Sequence, residues 1–268
     1  MTALGMKIEI QTRDSQSAAR ASRLGGFALV LLCVSGLSHR YGLLETVPFF
    51  WVLGIVGLTA ALALGLAFAG LIDVWERGDR GAGRSVGGGL MALLVLAPFV
   101  ISGWRVIEYP RLVDVSTDTA RPPEFVALAL SRPSDAYPVE PIGPAQARQI
   151  AQSYPEIGGR RYTVSPDRVL EAVDAIIAKR GWEVVETRGV PQQDPEISVE
   201  AHAFSYLLRF PADFVVRLTD EDTSTFVDVR SASPYARHDL GDNAKRIERF
   251  LADLDLSMET RTEAAPEE

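Results

Sequence analysis

Two long apolar runs constrain the fold of this chain more than any other feature of its sequence. The first covers residues 47–72 and contains no charge, and the second covers residues 87–107, in which Arg105 is the first charge. A helix rises about 1.5 Å per residue, so about 20 residues cross the hydrocarbon core of a bilayer. Both runs therefore predict transmembrane helices.

An earlier apolar run begins at residue 24, but His39 and Arg40 interrupt it. Extended to residue 44 it reaches spanning length, with Arg40 close enough to the membrane surface for its long side chain to reach the head groups. A cleaved signal peptide is the alternative, although no Ala-x-Ala-like site follows before the next apolar run. The sequence therefore predicts three spans, over 24–44, 47–72 and 87–107, after an N-terminal segment 1–23.

Positive charges are unevenly distributed between the two sides of these spans. One side carries Lys7, Arg13, Arg20, Arg23, Arg77, Arg80 and Arg84, whereas the other carries Arg40, Arg105 and Arg111. The positive-inside rule therefore predicts a cytoplasmic N-terminus and a cytoplasmic 73–86 loop in a multi-pass inner-membrane protein. Everything after about residue 108 is then expected outside the cytoplasm, which is the periplasm in a Gram-negative bacterium.

Small residues recur every four positions along the second predicted span, at Gly57, Ala61, Gly65 and Ala69. Such a stripe lets another helix approach closely, because no large side chain holds the two backbones apart. The partner is either a neighbouring span or the same span of a second copy, and the sequence leaves both open.

The segment from 109 to 158 is rich in proline and is expected to be an extended tether. Eight of the 16 prolines of the chain lie between Tyr109 and Pro155. Proline lacks the N–H group that a helix requires and favours extended backbone. Phe125 and Val126 are apolar exceptions that are candidates for docking on the domain that follows.

Residues 159–256 carry the amphipathic patterns of one compact domain. A helix is predicted between Ser165, a favourable N-cap, and Gly181, a helix stop. Four strands follow, over 182–187, 197–210, 213–218 and 224–231, and an amphipathic helix closes the domain. This order predicts a two-layer α+β sandwich, with an antiparallel sheet of about four strands and both helices on one side.

Two flanking stretches of this domain carry weaker signals. Residues 160–164, "RRYTV", are a candidate for an additional edge strand. The acidic tail 257–268 is expected to be disordered, since it has few apolar residues to bury.

Composition excludes several classes of function. The formal net charge of −8 argues against a nucleic-acid partner, because such proteins need a basic face to displace counterions. The single cysteine, Cys33, cannot form an intramolecular disulfide or a cysteine-based metal site. His202 and His238, with Asp239 and Asp242 near the latter, lack the spacing of a metal motif. We therefore expect no metal and no cofactor.

Charged residues alternate with apolar ones in the last two predicted strands. Phe214, Val216 and Leu218 share one face, so Arg217 lies on the opposite, polar face. The same alternation places Arg230 on that face of the neighbouring strand. Two adjacent arginines need carboxylates or a bound anion between them, and Asp213 and Asp228 are the nearest candidates.

After the last strand, "HDLGDNAKRI" leads into the final helix. Asp239 is predicted as its N-cap, and Gly241 eases the turn. Asn243 and Arg246 follow in the first two helical turns.

Three interpretations of this polar cluster stay open. The first is a structural network that includes Asp213, Asp228, Asp239 and Gly241. The second is a surface that binds a phosphate, a carboxylate or a lipid head group through Arg217, Arg230, Asn243 and Arg246. The third is catalysis, but Ser231 and Ser233 lack a nucleophile-elbow context near His238, so no catalytic residue is assigned.

Three stretches, "FPADFVVRL", "FVDVRSAS" and "HDLGDNAKRI", together resemble the bacterial domain-of-unknown-function family 1499. The preceding "DVSTDTARPPEF" resembles the segment found before that domain in membrane-attached members, so the likeness covers about 110–256. The motif residues that it carries over are Asp213, Arg217, Asp228, Arg230, Asp239, Gly241, Asn243 and Arg246. The chain departs from the family pattern at Pro234, Ala236 and His238, where arginine, glycine and serine are usual, which removes one positive charge and some loop freedom.

This resemblance implies no established activity. The expected function is that of a membrane protein presenting a periplasmic binding or assembly module, with the lipid bilayer as one partner. An envelope protein, an anionic small molecule or a lipid head group is the expected second partner. The alternative is an envelope hydrolase or a lipid-acting or anion-acting enzyme that uses the polar cluster at 228–246.

Overall fold

The computed structural model describes residues 13–263, and their side chains as far as residue 259. The described residues form two compact units that divide between Gly103 and Trp104. Lys7, part of the predicted N-terminal positive charge, lies outside the described residues, as do residues 264–268 of the predicted tail.

The first unit is built from three long helices, α1 (Gln16–Arg40), α2 (Thr46–Arg77) and α3 (Ala82–Glu108), the last of which ends in the second unit. Their lengths of 25, 32 and 27 residues and their apolar composition suffice to cross a membrane. Large apolar side chains such as Trp51, Leu58 and Phe68 are exposed along them, as is usual for helices that face lipid. The prediction of three long apolar helices is confirmed.

Glycines set the close packing within this unit. A Cβ atom added to Gly25 of α1 would lie 2.7 Å from the carbonyl oxygen of Gly88 of α3. One added to Gly88 would lie 2.6 Å from the backbone of Ala21, and one added to Gly70 of α2 would lie 2.8 Å from the amide nitrogen of Ala18. The backbones therefore approach closely enough to exclude any larger residue at these positions.

The predicted small-residue stripe of α2 does not form one packed face. Gly57 lies against the ring of Phe99, but Ala61 and Gly65 are exposed. Four residues turn a helix by more than one full turn, so a four-residue repeat drifts around the helix. The buried positions of α2 instead include Phe49, Val56, Ala60, Ala63, Ala67 and Gly70. Packing of Ala61 and Gly65 on a second copy is the alternative that the sequence leaves open.

The second unit contains six strands and four helices among the described residues. In chain order they are β1 (Asp114–Ser116), α4 (Ala127–Ser131), α5 (Pro144–Ser153), β2 (Arg160–Tyr162), α6 (Pro166–Lys179), β3 (Glu183–Arg188), β4 (Glu196–Phe204), β5 (Pro211–Asp220), β6 (Thr225–Ala232) and α7 (Asp242–Glu263). The strands form one antiparallel sheet in the order β1-β6-β5-β4-β3, and β2 pairs with the same edge of β6 as β1.

Helices α6 and α7 cover one face of this sheet. Strand alternation directs Phe214 and Val216 of β5 and Val229 of β6 into the core, where they meet the apolar faces of both helices. Aromatic rings hold the centre, since the ring of Phe214 lies 4.7 Å from that of Trp182 and 4.9 Å from that of Phe250, between centroids. The two-layer α+β sandwich is confirmed, but with six strands rather than about four.

The expected tether is instead part of the folded domain. Leu112, Val115 and Ile150 are buried in the main core. Phe125 and Leu128 pack with Val215 and Ala232 on the opposite face of the sheet. Proline excludes helical hydrogen bonding but does not prevent extended backbone from burying the apolar residues between the prolines. Residues 109–158 are called the connecting segment below.

The last helix also runs further than expected. Helix α7 continues to Glu263, so residues 257–263 of the predicted disordered tail are helical. Met258 explains part of this extension, because its side chain is buried in the main core.

These contacts predict that residues 109–263 fold alone, whereas residues 159–263 do not. The shorter fragment loses six buried apolar side chains, those of Leu112, Val115, Phe125, Leu128, Ile150 and Ile157. Each stabilises by about 1.5–3 kcal/mol, and their sum is comparable with the whole stability of a typical domain. Near-ultraviolet circular dichroism and urea unfolding of both fragments check this. A cooperative unfolding transition of the shorter fragment would show that the connecting segment is dispensable.

Candidate functional site

The polar face of the sheet carries the predicted pair of arginines. Arg217 lies directly opposite Asp228 in the β5–β6 register, and its guanidinium donates to that carboxylate at 2.6 Å. It also donates to Asp118 at 2.9 Å and to the carbonyl of Arg121 at 2.8 Å, both in the connecting segment. Burial opposes the charged form, but the hydrogen bonds to the two aspartates raise the pKa of Arg217.

Arg230 forms the second buried ion pair of this face. Its Nε donates to Oδ1 of Asp114 at 3.0 Å and its Nη2 donates to Oδ2 at 2.7 Å. The carbonyls of Pro123 and Glu140 accept from the same guanidinium, at 3.1 and 3.2 Å, and its plane lies over the ring of Phe125. Burial raises the pKa of Asp114 despite its arginine partner. Arg230 is therefore surrounded by acceptors from the connecting segment.

Two further contacts complete this arrangement. Arg132 of the connecting segment pairs with Asp213 of β5 at 2.6 Å. Glu200 of β4 is fully buried and accepts from the backbone amides of Val126, Ala127 and Leu128 at 2.9–3.2 Å. Glu200 thus satisfies the free backbone N–H groups at the amino end of α4. Arg188 of β3 donates to the same carboxylate at 2.9 Å.

Eight charged residues of this face form what we call the polar-face network: Asp114, Asp118, Arg132, Glu200, Asp213, Arg217, Asp228 and Arg230. Asp213 and Asp228 are in it, as the structural interpretation predicts, but Asp213 pairs with Arg132 rather than with Arg217 or Arg230. Its arginines already have carboxylate partners at ion-pair distance. A ligand anion would have to compete with those partners.

The amino end of α7 is satisfied by the chain itself. The two carboxylate oxygens of Asp239 accept from the amides of Gly241 at 2.9 Å and Asn243 at 3.0 Å. The helix begins at Asp242, so Asp239 caps it from outside the helix rather than from the N-cap position. Gly241 has a φ of +77°, a left-handed conformation that favours glycine.

Asn243 joins four parts of the domain through one buried side chain. Its amide nitrogen donates to the carbonyl of Val113 at 2.9 Å and to the hydroxyl of Ser233 at 3.0 Å. Its amide oxygen accepts from Ser231 at 3.0 Å and from Arg246 at 2.6 Å. Asn243 therefore locks α7 to β6, to the loop after β6 and to the residue before β1.

Arg246 lies on the other face of the sheet from Arg217 and Arg230. Its guanidinium donates to Ser231, whose side chain alternates to the helix side of β6. Burial lowers the pKa of Arg246, although nearby Asp242 and Asp239 oppose that change. The four predicted anion ligands are consequently split into two pairs, Arg217 with Arg230 and Asn243 with Arg246.

The serines and histidines of the cluster show no nucleophile–base pair within the described residues. Nδ1 of His238 accepts from the amide of Leu240 at 3.0 Å, and neither Ser231 nor Ser233 is hydrogen-bonded to the ring. No group of three or more His, Cys, Asp or Glu side chains between residues 13 and 263 has the arrangement of a metal site.

A cavity of about 280 Å³ lies beside the polar-face network. It is lined by Arg111, Arg132 and Arg237, together with Ser233, Glu140 and Gln146. We call it the arginine cavity. Sequence patterns miss it because Arg111 and Arg132 belong to the segment expected to be a tether. Glu200 is also missed, although alternation along "ISVEAHAF" places it on the polar face of β4.

These features define a class of protein with three long apolar helices and an α+β domain. Buried ion pairs hold the connecting segment against one face of the sheet of that domain. A model of the family described as protein of unknown function, DUF1499, matches residues 114–254, which is more than half of the chain. The chain therefore belongs to the DUF1499 family, and the resemblance drawn from its motifs is confirmed. The match begins at the first residue of β1. No curated protein and no solved structure matches the chain.

The Arg230–Asp114 pair yields a prediction with a defined pH dependence. Arg230→Met should destabilise residues 109–263 by about 3 kcal/mol at pH 8, because it leaves a buried carboxylate unpaired. Losing the arginine raises the pKa of Asp114 further, so the deficit should shrink as acidification protonates that carboxyl. Urea unfolding at pH 8 and pH 5 measures this.

The matched control for that measurement is Arg121→Met, which breaks a mostly exposed pair with Glu196. Its effect should not exceed about 1 kcal/mol at either pH. The role of the Arg230–Asp114 pair would be contradicted if Arg230→Met lowered the free energy of unfolding only slightly at pH 8. It would also be contradicted if that loss of stability were no smaller at pH 5.

A second prediction concerns the turn before α7. Gly241→Ala should destabilise the domain by roughly 1–3 kcal/mol, because an alanine resists the positive φ and its Cβ would lie 2.5 Å from the ring of Tyr109. Gly158→Ala is the matched control, since nothing lies within 4 Å of a Cβ at that position. Equal unfolding midpoints of the two variants would contradict the role of Gly241.

Proposed function

We propose that this protein is a multi-pass inner-membrane protein that presents its α+β domain on the periplasmic side and acts by binding an envelope component. The location is supported by the three apolar helices and by the excess of positive charge on one side of them. The described residues that supply this charge are Arg13, Arg20, Arg23, Arg77, Arg80 and Arg84.

The binding role is supported by two observations: what the charged groups of the polar-face network do, and what lies beside them. The carboxylates and arginines of the network are used to close the fold, and no nucleophile–base pair or metal arrangement is formed by the described residues. Beside this closed network the arginine cavity offers positive side chains to a ligand. Such a surface suits recognition of an anionic group, either a small molecule or a lipid head group.

The proposed orientation predicts opposite behaviour of two reporter fusions. Alkaline phosphatase, which is active only outside the cytoplasm, should be active when fused after residue 115 and inactive when fused after residue 79. Green fluorescent protein at the same two positions should show the reverse pattern. Immunoblots that show equal amounts of each fusion are the control. An inactive phosphatase at 115 together with an active one at 79 would invert the orientation.

A further inference from the structure

The arginine cavity is formed where the connecting segment meets the loop after β6. Backbone hydrogen bonds fix this junction, since the amide of Tyr137 donates to the carbonyl of Pro234 and the amide of Ser233 donates to the carbonyl of Val113, both at 2.8 Å. The polar-face network lies directly behind it, through Asp114 and Arg132. The cavity walls are therefore held in place by the fold itself.

The charged groups that line the cavity are not balanced. Asp114 is paired with Arg230, and Arg132 is paired with Asp213. Within the described residues, Arg111 has no ion pair or hydrogen bond. The Arg237 guanidinium has no carboxylate partner there, but it donates to the hydroxyl of Tyr137 at 2.9 Å and lies over that ring. The lining has two carboxylates, those of Asp114 and Glu140. Within the described residues, Glu140 has no cationic side chain at ion-pair distance. The lining therefore contains two guanidinium groups without a carboxylate partner and one carboxylate without a cationic partner.

Neutral donors lie beside these guanidinium groups. The hydroxyl oxygen of Ser233 accepts from Asn243 at 3.0 Å, which leaves its own hydrogen available to a ligand. Val113, Val139 and Ala236 supply apolar wall. A volume of about 280 Å³ is just below the usual range for small-molecule sites, so the cavity suits a compact charged group rather than a large ligand.

We propose that the arginine cavity binds the phosphate group of an anionic ligand, with Arg111 and Arg237 as the charged donors and Ser233 as a neutral one. Guanidinium groups are well suited to phosphate, because they keep their charge and offer several donors to its oxygens. Arg111 lies three residues beyond Glu108, the last residue of α3, which is one of the three candidate membrane spans. A lipid head group is therefore a possible source of the phosphate, in addition to a soluble ligand. The phosphate belongs either to a soluble phosphoester or to an anionic lipid head group. The proposal rests on the proposed function, which makes this domain the binding part of the protein.

The test uses the full-length protein in phosphatidylcholine nanodiscs, titrated with inorganic phosphate and with glycerol phosphate by calorimetry. Wild type should bind both saturably, and Arg111→Gln and Arg237→Gln should each weaken binding at least about tenfold. Glu140→Gln should strengthen binding several-fold, because it removes the opposing charge. These side chains are exposed, so their replacement should leave thermal unfolding unchanged.

Arg249→Gln is the matched control, since it removes the same charge from an exposed position on α7 outside the cavity. It should bind phosphate as wild type does. Discs that contain phosphatidylglycerol identify the source. If the lipid head group occupies the cavity, apparent phosphate affinity falls in those discs for wild type. If the ligand is soluble, the affinity is the same in both kinds of disc.

Absence of saturable phosphate binding by wild type in phosphatidylcholine discs would overturn the proposal. The same holds if Arg111→Gln and Arg237→Gln bind as tightly as Arg249→Gln does. Either result leaves the reporter-fusion pattern untouched, so a failure of this site is distinguishable from a failure of the proposed location.

Discussion

The rest of the domain depends on the buried ion pair between Arg230 and Asp114. It joins β6, the strand next to the sheet edge, to β1 of the connecting segment. Two more contacts repeat this design, since Arg217 reaches Asp118 and Arg132 reaches Asp213, each joining the segment to the sheet. Buried pairs add little net stability over apolar packing, but leaving one partner unpaired is costly. The network therefore specifies where the segment docks.

Patterning predicts the helix-covered half of the domain because its signals are local. Alternation along β5 and β6 places Arg217 and Arg230 on one face, and Ser165 and Gly181 bracket α6 closely. The motif around Asn243 also identifies the family. These inferences succeed because each depends on residues a few positions apart, whose spacing fixes which face a side chain occupies.

The other half of the domain is not predictable in this way. Proline density in the connecting segment indicates extended backbone but carries no information about what that backbone packs on. The partners of Arg230 and Asp213 lie far away in the chain, so no local pattern connects them. The same reason hides the arginine cavity, whose walls come from both ends of the domain. Residues 112–116 carry a short strand-like pattern, with valines on both sides of Asp114. The many prolines around this pattern favour the prediction of a tether instead.

The pairing of β1 with β6 has a consequence for the order in which the protein is made. Asp114 is opposite Ala232, more than a hundred residues later in the chain. During synthesis, Phe125, Leu128 and the charges of the connecting segment leave the ribosome long before the strand that buries them. Closing such a distant contact is slow, because the entropy of the intervening loop is lost first. The nascent segment therefore stays accessible to chaperones and proteases until β6 is complete.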